Sequence, residues 1–87
     1  MDEILMEKIK QKIHDTISNK EEIQQLIEFL SNIDDSKSFA LGIVVGRLYN
    51  AFYYQTKRIL CREPTDIEFA EFLEFVKTKK SNLENLW

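Results

Sequence analysis

Residues 36–62 read SKSFALGIVVGRLYNAFYYQTKRILCR, a run of 27 residues with no proline and no acid. Placed at 100° intervals around a helix axis, Leu41, Val45, Leu48, Phe52, Gln55 and Ile59 fall on one seam. Gly42, Gly46, Tyr49, Tyr53, Thr56 and Leu60 fall on a second seam beside it. The spacings alternate between four and three in both, which is helical periodicity with an apolar face about twice as wide as a coiled-coil stripe. At 1.5 Å per residue the helix would extend ~40 Å. Its neighbours are shorter, so part of it must project or find another partner. The first seam, rich in Leu, Val and Ile, is expected to serve the domain's own core.

The punctuation around this run sets the other elements. Pro64 follows it and disfavours the α region for the residue before it. Thr65-Asp66-Ile67-Glu68 is a capping box, so a further helix begins there. Ile67, Ala70 and Leu73, with Phe69, Phe72 and Val76, give that helix a wide apolar face that fades near residues 77–81. Leu83, Leu86 and Trp87 form an apolar tail that either docks or frays. Residues 62–68, REPTDIE, resemble the junction between helices in region three of bacterial sigma factors. The likeness covers what a helix stop followed by a capping box selects, and it implies no function.

On the amino-terminal side, Asp34, Asp35 and Ser36 are good N-cap types. Before them Ile23, Leu26, Ile27, Leu30 and Ile33, edged by Phe29, predict a helix over residues 20–33, with Asn19 as its N-cap. Leu5, Ile9, Ile13 and Ile17 recur every four residues and predict a helix over 2–18, with Lys8, Lys10, Gln11 and Lys12 on its other faces. The expectation is an all-α fold: a single helical domain over 1–87, a small bundle of about four helices with a long central third helix.

Composition agrees. Gly42, Gly46 and Pro64 are the only glycines and proline, too few for the tight turns of an all-β domain. The lone Cys61 allows no internal disulfide, which favours a reducing, cytoplasmic setting. Met1-Asp2-Glu3 lacks the basic and apolar regions of a signal peptide. The longest apolar run, Phe39 to Val45, is far short of the ~20 residues that span a bilayer.

For function, the sequence offers no catalytic constellation. His14 and Cys61 are distant in sequence, Glu68 is used as a cap, and Glu63, Glu71 and Glu74 fit a solvated face. No metal, phosphate-loop or calcium motif is present, so a non-enzymatic protein without cofactors is expected. The second seam suggests the leading reading. Gly42 and Gly46 each cost up to ~1 kcal/mol in a helix interior, and together they let another backbone come close. With Tyr49 and Tyr53 they form a candidate interface, either for self-association or another helical protein, or for a crossing by helix one or four. The alternative rests on charge. Residues 36–62 carry +5, flanked by −5 over 1–35 and −3 over 63–87. Arg47, Tyr54, Lys57 and Arg58 lie away from the core seam and could bind nucleic acid. Pairing of these bases with the acidic helices is the competing expectation, and a net charge of −3 favours it.

Overall fold

The computed structural model describes residues 1–30 and 34–85. Four helices follow in order: α1 (Glu3–Ser18), α2 (Lys20–Leu30), α3 (Ser36–Leu60) and α4 (Asp66–Glu84). The starts of α1, α3 and α4 are side-chain caps. The Asp2 carboxylate accepts from the Leu5 N–H at 2.9 Å, and the Asp35 carboxylate from the Ser38 N–H at 3.0 Å. Each satisfies one of the donors that a helix start leaves open. The predicted capping box at Thr65 is present in full.

Two boundaries differ from expectation. The Asn19 side chain serves the end of α1 rather than capping α2, whose start receives only the Asn19 carbonyl, an acceptor for the Glu22 N–H at 3.1 Å. The backbone and side-chain N–H groups of Asn19 both donate back to the Asp15 carbonyl, at 3.1 and 2.9 Å. The third helix stops at Leu60, well before Pro64, because Cys61 turns left-handed at φ 58° and its N–H closes onto the Lys57 carbonyl. That is the C-terminal geometry usually given to glycine.

The third helix is the hub, and α1, α2 and α4 each pack on it. The buried residues of α1 and α2 are Leu5, Ile9, Ile13, Thr16, Ile23 and Ile27. Asn19 interrupts the helix between Thr16 and Ile23, and both segments pack on α3. α4 runs antiparallel to α3. Tyr49 meets Phe69, Phe52 stacks on Phe72 at 4.5 Å, and Leu41 and Val45 share a hollow with Val76 and Leu83. The result is a rod-shaped bundle, 41 × 20 × 18 Å. No described helix is long and apolar enough to cross a membrane.

The core line of α3 is Ala40, Val44, Leu48, Phe52 and Thr56. This corrects the expected seam. Leu48 and Phe52 belong to it, whereas Leu41, Val45, Gln55 and Ile59 are only half-buried beside it. The reason is geometric. With α1 and α2 on one flank and α4 on the other, the deepest residues lie between the two contacts, along a row of four-residue steps. Thr56, expected on the second seam, is buried, and its hydroxyl is satisfied by the Phe52 carbonyl at 2.7 Å. On α4 the deep anchors are Phe72 and Leu83, while Ile67 is 73% exposed and Leu73 50%. The predicted tail therefore docks through Leu83. Leu86 and Trp87, and the predicted helical ending at Asn32 and Ile33, lie outside the described residues.

Candidate functional site: the two flanks of the third helix

The candidate residues separate onto two sides of α3. Gly42, Gly46, Tyr49 and Tyr53 line the side next to α4. A Cβ built on either glycine would meet no atom within 4 Å, so neither α1 nor α4 lies over them. Below the glycines, Tyr49 stacks on Tyr53 with ring centroids 5.8 Å apart and reaches Phe69 of α4 at 6.0 Å and Phe72 at 6.3 Å. Such pairs lock ring positions beyond what area burial alone does.

Three shallow hollows adjoin along this side. One of about 490 Å³ lies over Gly46, Tyr49, Asn50 and Tyr53. A second runs from Tyr49 and Tyr53 over Phe69 to Pro64. The third, about 240 Å³, lies between Leu41 and Val45 of α3 and Leu73, Val76 and Leu83 of α4. Tyr49, Phe69 and Leu73 remain 42%, 37% and 50% exposed around them. The side is an open apolar trough with a backbone-level floor at the glycines.

The opposite side, toward α1, is polar. Arg47, Asn50, Ala51, Tyr54 and Gln55 of α3 face Lys8, Gln11, Lys12 and Asp15 of α1 across a groove of about 550 Å³. The acidic helices do not neutralise Arg47 there. Among the described residues no ion pair joins a base of α3 to an acid of α1 or α2. The groove gathers two further cations, and its one acid, Asp15, accepts a hydrogen bond from Gln11 at 3.0 Å. Arg58 lies one turn beyond Tyr54 on the same face of α3. Lys57 lies on the back of the helix and pairs with Glu63 at 3.8 Å.

Sequence reasoning named Arg47 and Tyr54 here but missed Lys8, Lys12 and Asp15. The signal was in α1. These three recur at steps of four and three, one position away from the stripe of Ile9, Ile13 and Thr16. A stripe that borders a buried one also borders the partner helix.

The α3–α4 junction holds the two helices that form the apolar side. Arg62 grips both oxygens of Glu68, at 2.6 and 3.2 Å, while Glu68 also accepts from the Thr65 N–H at 2.9 Å. The guanidinium, followed by that backbone donor, pulls the Glu68 carboxyl down to about 2. One turn further along α4, the amino group of Met1 pairs with Glu71.

His14 is exposed on α1, and Cys61 is an exposed thiol at the end of α3. Among the described residues no three His, Cys, Asp or Glu side chains converge as metal ligands would. No family model matches the chain, and no curated protein or solved structure matches it.

Proposed function

We propose that this chain is a non-enzymatic interaction module that self-associates, with the trough of Gly42, Gly46, Tyr49 and Tyr53 as the contact between two copies. The observation that carries this reading is the open space over both glycines. Glycine in a helix interior costs up to ~1 kcal/mol relative to alanine, and nothing inside the chain approaches closely enough to require it. A second α3 crossing there would use the missing side chains for close backbone approach, with Tyr49 and Phe69 as rigid rims. An isologous contact about a two-fold axis would place the same trough on both copies and cover the exposed faces of Phe69 and Leu73 together. A cytoplasmic setting fits the lone, exposed thiol of Cys61.

Light scattering on the purified chain in the micromolar range tests this directly, with a dimer as the expected mass. Gly46→Leu is the decisive variant. A Cβ at this position meets no neighbour and the hollow above it is open, so the higher helix propensity of leucine should raise monomer stability by up to ~1 kcal/mol. The expected outcome is a chain that stays fully helical, melts no earlier when dilute, and scatters as a monomer. A wild-type monomer, or a Gly46→Leu dimer of undiminished strength, removes the trough as the contact.

A further inference from the structure

The groove between α1 and α3 meets the proposed contact only at Asn50, and it is built differently. Lys8, Lys12 and Arg47 stand around one hollow with a single carboxylate, Asp15. The chain holds 15 acids, yet among the described residues none pairs with these three cations. Three like charges held around a concave wall repel one another and focus potential outward, so an anion entering the groove gains from all three.

Two more features narrow the anion. Tyr54, on the rim, is 63% exposed and presents an aromatic face without a ring partner among the described residues. At the wall, the side-chain oxygen of Gln55 is buried and accepts no hydrogen bond. That oxygen is closed off from solvent, so the polar edge the groove offers a ligand is made by the exposed Gln11 and Asn50. Phosphate on the cations, a flat ring on Tyr54 and a polar base edge against Gln11 and Asn50 are together the chemistry of a nucleotide.

We propose that this groove binds phosphate-linked nucleobases, as free nucleotide or as a short single strand. Lys8, Lys12 and Arg47 hold phosphate, Tyr54 stacks the base, and Asn50 and Gln11 read the base edge. The site departs from the face expected of α3 alone. It draws two of its three cations from α1, and it leaves out Lys57.

Fluorescence anisotropy of a labelled oligoadenylate titrated with the full chain at low salt tests the proposal. Saturable binding is expected. Three phosphate contacts to a single strand predict that affinity falls about 20-fold between ~50 and ~200 mM salt. Arg47→Glu on α3 and Lys12→Glu on α1 should each abolish binding, with circular dichroism confirming that each remains helical. If one of the two fails to fold, the other still decides. Tyr54→Ala should weaken binding at least about five-fold, and Tyr54→Phe should restore it. Lys57→Glu, on the back of the helix and screened from the groove, should change it less than about two-fold. Adenosine monophosphate as competitor separates the two sources. Displacement marks a pocket for free nucleotide, and retention of the strand marks a single-strand site. No binding, binding indifferent to Arg47→Glu and Lys12→Glu, or equal competition by an oligoglutamate peptide would overturn the proposal.

Discussion

The two flanks of α3 start from one helix and end as different surfaces. On the α4 side the neighbours of Tyr49 are rings, Phe69 and Phe72, and the glycines leave the backbone bare. On the α1 side the neighbours of Arg47 are lysines and amides. The first flank is therefore continuous with the core, and its residues contribute to stability. The second borders the core without using it, so its charges are free of structural duty. The difference teaches that exposure alone does not distinguish a surface held by the fold from one merely carried by it.

The largest expected effect erases the comparison altogether. Phe52 lies fully buried beneath both flanks and stacks on Phe72. Phe52→Ala should cost ~3–5 kcal/mol. That is a large part of the ~4–13 kcal/mol available to a domain of this length. Denaturant melts should show both flanks lost in one transition. A variant that keeps α1 packed on α3 while α4 separates would mean that the flanks are independent units.

A smaller effect separates the flanks. Tyr49→Ala removes contacts to three rings and should destabilise by ~1–2 kcal/mol. The junction beneath the same flank responds to acid. Because Glu68 titrates near 2 in the folded chain and near 4.5 in the unfolded one, its contribution is present in full above pH 4.5 and is lost as pH falls through about 2. Melting temperature followed across that window should fall, and Glu68→Gln should flatten the fall while costing ~1 kcal/mol at neutral pH. An unchanged slope in the variant would show that the Arg62 clasp contributes nothing to stability.

The smallest effect belongs to the basic flank. Arg47→Ala should change stability by less than ~0.5 kcal/mol, since no ion pair is broken among the described residues. A loss comparable to that of Tyr49→Ala would mean that the groove is part of the fold after all, and the contrast between the flanks would collapse.

Local chemistry was legible in the sequence. The cap at Asp35, the capping box at Thr65, the four helices and the basic character of α3 all follow from residues within a few positions of one another. What depends on azimuth was not. The apolar arc of α3 is so wide that periodicity places its residues around the axis but cannot say which side receives a neighbour. Hence Thr56 went to the wrong seam, and the true core row through Ala40 and Val44 was not singled out. The same limit hid the groove, whose lysines and arginine come from helices far apart in the chain. Cys61 was unreadable for another reason: a left-handed turn at a residue other than glycine leaves no compositional mark.

Asn19 looks like a joint between two segments, but its geometry makes it a spacer of fixed length. Thr16 and Ile23 are both buried with a single non-helical residue, Asn19, joining their helices. One residue inserted beside Asn19 would rotate Ile23 and Ile27 about 100° away from α3, and one deleted would rotate them as far the other way. The shortest connection in the molecule is thus the one least able to tolerate a change in length, and natural or engineered variants should show substitutions at Asn19 long before they show insertions or deletions there.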